Sequence, residues 1–333
     1  MPSQPETQGP AAAESSVPET TGPERFVLTF VGDCTLGADP GLFHAELGFP
    51  KTVGQDYDYP FRNVEAYFRQ DDLTFANLEG PLSDTGHPAE KRFRFRGPED
   101  YVHILSDHSV EAVSLSNNHT MDFGPEAYEN TCRVLQEVGI SYVERDKTCL
   151  ITTDRGLTVG LYGALYTYID EEAMVEAISQ LRQQADIVIF APHWGYEKSP
   201  HPHAQQIELA HAAIDAGADL VWGHHTHVLQ DMEQYHDGLI FYSMGNFCFG
   251  GIVSFYDLDS AIWQQEFLKA PDGTVTLGET TIIPVRISSR EDINNYQPTP
   301  YPREDPGYDR VLEKVFGKGN QGPVPLPEKI PGQ

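Results

Sequence analysis

Short apolar runs alternate with amphipathic stretches along this chain, and this spacing limits the folds open to it. The runs cover residues 26–32, 72–76, 110–116, 156–165, 186–191, 218–222 and 238–243. Helical spacing of apolar positions fills much of the intervening sequence, over 60–70, 99–108, 125–138, 171–184 and 205–216. Strand–helix alternation of this kind predicts an α/β fold with a largely sequential sheet. The polar residues fall in a pattern. Asp33, Glu79, Asn118 with His119, His193, and His225 with His227 each stand just beyond an apolar run.

Open α/β sheets bind ligands outside the carboxyl ends of their strands. Five strand ends therefore deliver oxygen or nitrogen donors to one edge. Singly, each has a plainer reading, because Asp or Asn after a strand is most often a turn or cap residue. Together they predict convergence. The last end, Gly223-His224-His225-Thr226-His227, carries three of the 13 histidines, and neutral imidazole is the commonest transition-metal ligand. A metal site is the expectation.

Composition sets the outer bounds. A chain of 333 residues, 39% hydrophobic, can bury one large core or two modest ones. Its 22 basic and 50 acidic residues give a net charge of -28. That sign repels phosphate backbones and argues against nucleic acid as a partner. No apolar run is long enough to span a membrane. Residues 1–24 are rich in Pro, Ser, Thr and Glu, and read as a disordered stalk. A stalk of this composition fits an extracytoplasmic protein anchored through a removed signal or lipid anchor. Residues 25–287 form the expected domain, and 288–333 a Pro-rich extension, packed over the core or partly disordered. Four cysteines without a CxxC pair do not make a disulfide framework.

The motifs FVGDCTLG, FANLEGPL, SLSNNHTMDFG, APHWGYE, GADLVWGHHTHVLQ and FYSMGNF occur in this order. In this succession the chain resembles the CapA/PgsA family of capsule and poly-γ-glutamate synthesis proteins, related to the calcineurin-like metallophosphoesterases. The resemblance implies a four-layer αββα sandwich with a metal site at its strand ends. It implies Asp33 as the first-strand ligand, Glu79 in place of the bridging carboxylate, and Asn118 as the amide ligand. His193, His225 and His227 match the histidine ligands, and His119 the general acid. His224 is then an extra residue, in support of the ligands or in contact with substrate. The metallophosphoesterase pattern Asp-x-His is broken here, because Thr35 occupies the second ligand position.

A donor set of Asp, Glu, Asn and His suits Mn²⁺, Zn²⁺, Fe or Co better than Mg²⁺ or Ca²⁺, bound as one or two divalent ions. Asp122, three residues after His119, is placed to orient that imidazole, or else to cap the following helix. The segment Lys91-Arg92-Phe93-Arg94-Phe95-Arg96 concentrates positive charge in an acidic chain. Read as a strand, it puts Arg92, Arg94 and Arg96 on one face, as a wall for carboxylate or phosphate or as a charged edge strand. Glu197 is a further acid near the site or a surface residue. The functional expectation is a metal-dependent enzyme of the cell envelope. It would hydrolyse or transfer an amide or phosphoester of an anionic polymer or peptide, with poly-γ-glutamate as the candidate. Alternatives are a non-catalytic polymer-binding component working with capsule-synthesis membrane proteins, and a metal-dependent peptide epimerase.

Overall fold

The computed structural model describes residues 22–165 and 169–317. The stalk expected over 1–24 therefore lies almost wholly outside the described residues, as does the chain after 317.

The first half of the chain builds one sheet and its outer helical layer. Strand β1 (Glu24–Thr35) leads through α1 (Phe49–Val53) and α2 (Glu65–Phe68) to β2 (Leu73–Leu78). Helix α3 (Val102–Ser106), β3 (Ala112–Ser114), α4 (Gly124–Glu137) and β4 (Ser141–Val143) follow. The second sheet comprises β5 (Lys147–Thr152), β6 (Thr158–Leu165), β7 (Ile187–His193), β8 (Leu220–Trp222), β9 (Met232–Tyr235) and β10 (Gly238–Phe241). Its helices are α5 (Glu171–Arg182) and α6 (Ala204–Asp215). The chain then returns to the first sheet with β11 (Asn246–Phe249), β12 (Asp259–Lys269), β13 (Val275–Arg286) and β14 (Thr299–Pro300), and ends in α7 (Pro306–Phe316).

The first sheet runs β14-β13-β12-β1-β2-β3-β4, with β11 pairing β1, and the second runs β5-β6-β7-β8-β10-β9. Three apolar clusters show how they stack. Phe30, Phe75 and Trp263 of the first sheet meet Ile189, Trp222 and Phe241 of the second in one buried core. Phe68, Ile104 and Leu135 cover the outer face of the first sheet, and Met174, Ile178 and Leu209 that of the second. The result is four layers, helix–sheet–sheet–helix, the αββα sandwich implied by the resemblance.

Two sequence expectations change, and one alternative is selected. The helical spacing over 60–70 yields only the single turn of α2, because the preceding residues are turns. The strand expected over 91–96 does not form; only Arg96 and Gly97 make isolated bridges, to Ala38 and Leu82. The C-terminal extension packs through residue 317: β14 pairs β13, and Tyr301, Tyr308, Val311 and Val315 join the inter-sheet core.

Candidate metal centre

Parallel strands β1 and β2 end side by side, with Asp33 in register with Asn77 and Cys34 with Leu78. Strand β7 ends at His193, and β8 runs into Gly223 and the histidines beyond it. The centre lies where these ends from the two sheets meet. Gly223 is fixed by this approach, since a Cβ there would stand 2.1 Å from the Tyr242 carbonyl oxygen. His225 and His227 adopt φ of 93° and 59°. Such values are uncommon for residues with a Cβ, and here they set the course of the loop that carries both imidazoles.

Among the described residues, Asp33, Glu79 and His193 offer ligand atoms within 4.8 Å of one another, and all three are buried. His193 Nε2 lies 2.8 Å from Asn118 Oδ1 and 3.1 Å from His225 Nδ1. His227 Nδ1 is 3.3 Å from Asp33 Oδ2, and its Nε2 is 4.0 Å from Glu79 Oε1. The structure thus brings together all six residues expected as ligands.

Charge here is poorly compensated by the protein alone. Asp33 Oδ2 and both Glu79 oxygens are buried without a hydrogen-bond partner among the described residues. Burial, reinforced by Asp33, holds the Glu79 carboxyl well above the usual range. Burial acts the same way on Asp33, but His224 and His227 outweigh it and bring that carboxyl well below. Burial, with His225 beside it, holds His193 well below the ordinary imidazole value, and burial with His227 brings His225 down to about 4. Burial opposes charge on His227 too, yet Glu79 and Asp33 raise it to about 9. Two buried carboxyl groups beside His193 and His225, both held toward the neutral form, make a donor set that a divalent cation satisfies, with Glu79 and His227 giving up protons on binding. The orphaned oxygens and the mixed oxygen–nitrogen chemistry fit such an ion.

The surroundings sort the remaining candidates. His119 Nδ1 is 2.7 Å from Asp122 Oδ2, and its Nε2 faces the centre, 3.8 Å from Glu79 Oε1. The Phe95 amide donates to the same Asp122 oxygen, and no side chain caps α4. Asp122 therefore orients His119 and is not a helix cap. His224 is fully buried, its Nδ1 3.2 Å from Asp33 Oδ1, so its place is beneath the ligands and not at substrate. Glu197 is exposed and lines the cleft beside the centre.

The arginine wall is corrected. Without a strand the three side chains do not share a face. Arg94 donates to the Ala89 carbonyl and Arg96 to that of Thr85, while Arg92 lies over the Phe93 ring. The basic group at the centre is Lys91, which donates to the Asn118 carbonyl (2.9 Å) and pairs with Asp122. Sequence reasoning passed over Lys91 for its neighbours. It also gave no role to Asn77, whose Nδ2 donates to Asp33 Oδ1 at 2.8 Å, or to Asn246, whose Oδ1 lies 2.9 Å from His227 Nδ1. Each immediately follows an apolar segment or its turn, the signal that marked the ligands.

The family model for the bacterial capsule synthesis protein PGA_cap matches residues 27–251. The chain belongs to this family. Among PGA_cap relatives, the PGA biosynthesis protein CapA of Bacillus subtilis is 30% identical over 83% of this chain and 78% of its own length. The capsule biosynthesis protein CapA of Bacillus anthracis is 29% identical over 68% of this chain and 60% of its own length. In structure, the PGA_cap chain is similar to the Haemophilus influenzae NAD nucleotidase, with 10% identity over 92% of this chain and 64% of that one, and a TM-score of 0.44.

Proposed function

We propose that this protein is a metal-dependent hydrolase or transferase of capsule polymer assembly, acting on an amide or phosphoester bond at the Asp33–Glu79–His193 centre. The observation that carries this is the set of unpartnered buried oxygens on Asp33 and Glu79, facing His193, His225 and His227. A divalent ion bound there supplies a Lewis acid and an acidified water. Asp33, Glu79, Asn118, His193, His225 and His227 would hold it. His119, oriented by Asp122 through Nδ1, presents Nε2 toward the centre, where a general acid serves a departing group.

Poly-γ-glutamate is the candidate polymer, on the names of the Bacillus relatives. Membrane proteins of a capsule-synthesis system are the candidate partners, and the extracytoplasmic face the candidate location. Among the described residues no helix is long and apolar enough to cross a membrane. One observation favours a second reading, a non-catalytic component that holds polymer: Thr35 stands where a second ligand would, its buried Oγ1 unpartnered among the described residues.

The test is turnover of bis(4-nitrophenyl) phosphate and of a γ-glutamyl peptide by protein loaded with Mn²⁺ or Zn²⁺. Asp33→Ala and His225→Ala should lose metal and turnover while keeping the fold, and His119→Ala should lose turnover but retain metal. An Asp33→Ala variant with full turnover would overturn the proposal. A wild-type protein that binds metal but turns over neither compound leaves the second reading standing.

A further inference from the structure

The cleft that opens onto the centre has a volume of about 350 Å³ and is lined largely by rings. Phe95 and Phe249 are buried and pack on the His119 and His227 rings, at 4.4 Å and 5.0 Å. Phe93 and Tyr256 are its exposed rings, at 51% and 67% exposure. Each exposed ring carries a cation. Arg92 lies over Phe93 at 4.8 Å, and Lys198 over Tyr256 at 4.9 Å.

Neither cation is spent within the protein. Basic side chains of this acidic chain are mostly held by carboxylates, as Lys91 is by Asp122 and Lys314 by Asp257. Among the described residues, Arg92 and Lys198 make no ion pair and no side-chain hydrogen bond, and a ring face is the partner of each. Contact with a ring face leaves the N–H donors available. Arg94 and Arg96 differ, since both donate to loop carbonyls. The backbone fixes the place of Lys198: its φ is 63°, and its amide donates at 2.7 Å to the Thr226 carbonyl, between the ligand candidates His225 and His227. Arg92 belongs to the segment whose Phe95 packs on His119. Of the carboxylates lining the cleft, Asp257 is taken by Lys314, and Glu197 acts on Glu79 and His225 at the centre. Unpaired positive charge therefore gathers at the exposed rings, in a chain of net charge -28.

We propose that Arg92 and Lys198 are specificity-determining residues, which bind two carboxylates of one extended acidic chain that crosses the cleft. The arginine fork suits a carboxylate held by two parallel bonds, and the lysine a carboxylate held as a point charge. The rings of the cleft take the methylene stretches that separate those carboxylates. This assignment rests on the reading of an acidic polymer as substrate at this centre, and names the residues that recognise it. It holds for an amide and for a phosphoester alike.

The test is calorimetric binding to the metal-loaded full chain at low ionic strength, where exposed charges are least screened. The probes are a γ-linked glutamate pentamer and the same pentamer with its α-carboxylates converted to carboxamides. The acid should bind about tenfold more tightly than the amide, the sum of two exposed ion pairs near the top of their range. Lys198→Gln and Arg92→Gln should each reduce that ratio by about threefold, and Lys198→Arg should retain it. Both positions are exposed, so neither glutamine disturbs the core. Equal affinities for acid and amide, no binding of the acid, or a ratio that either glutamine variant leaves unchanged would each overturn the assignment. The measurement needs no turnover. Discrimination without turnover sinks the proposed hydrolase or transferase alone, whereas metal-dependent turnover without discrimination sinks the carboxylate assignment alone.

Discussion

His224 Nδ1 lies 3.2 Å from Asp33 Oδ1, and both residues are fully buried. Asn77 donates to the same oxygen, which leaves Asp33 Oδ2 as the atom turned toward the ligand cluster. Groups that orient a ligand typically contribute 10- to 100-fold to metal affinity. His224→Ala should therefore weaken metal binding by about 10- to 100-fold. His224→Asn, with an amide nitrogen close to the position of Nδ1, should recover most of the loss. Competition against a chromophoric chelator measures both, and an alanine variant that holds metal as tightly as wild type would remove His224 from this role.

Removing the ion should also cost stability. Without it, Asp33 and Glu79 are buried with unpaired oxygens and the Glu79 carboxyl is held well above its usual range. A ligand that binds only the folded state at 100 times its Kd stabilises by about 2.7 kcal/mol. Chelator-treated protein should melt lower than protein with saturating Mn²⁺ or Zn²⁺, and Asp33→Ala should show no such difference. Equal melting temperatures with and without metal in the wild type would mean that the folded protein binds no ion.

The join between the two sheets should be sensitive to truncation. Phe30 has no exposure, and its ring centroid lies 4.9 Å from that of Phe75, 5.0 Å from Trp263 and 5.7 Å from Trp222. Rings from both sheets lose contact if it is removed. Phe30→Ala should destabilise by about 3–5 kcal/mol, read by urea denaturation, and Phe30→Leu by much less. A loss below about 1 kcal/mol would mean that the sheets repack around the cavity.

The layers and the clustering of the candidate ligands were legible in the sequence for the same reason. Buried parallel strands are continuous apolar runs, and the donors stand immediately after them, as with Asp33, Glu79 and His193. What was not legible depends on long-range pairing. Strands β12 (DSAIWQQEFLK) and β13 (VTLGETTIIPVR) mix polar residues among their apolar ones even where they are buried, which leaves no long apolar run to notice. The segment around Arg94 alternates charge and phenylalanine, the pattern of a strand. Its backbone instead serves Asp39, which accepts from the Arg94 amide, and Asp122, which accepts from that of Phe95. Those tertiary bonds set its path. Lys91 comes to the centre because this path lays its side chain over Asn118 and His119, a consequence no local spacing encodes.

The C-terminal helix gives a pH-dependent prediction away from the centre. Asp259 on β12 is fully buried at its side chain, and it accepts bonds from Arg310 (2.6 Å) and Tyr301 (2.8 Å) while pairing with Lys314 (2.8 Å). Burial pushes its carboxyl upward, but Arg310 and Lys314 outweigh burial and hold it below the ordinary value. A carboxyl depressed in the folded state stabilises above its unfolded pKa of about 3.9, and that stabilisation is lost as pH falls through the folded value. At pH 7, Asp259→Asn should cost about 1–3 kcal/mol, the range for losing bonds to a buried charged group. The lower end is expected, because the side chain of Arg310 is 48% exposed and screened by solvent. The gap between wild type and Asp259→Asn should stay constant from pH 7 to about pH 5 and close below about pH 4. Urea melts of both proteins across that range supply the measurement. A gap that persists at low pH would assign the stabilisation to packing of α7 rather than to the charge on Asp259.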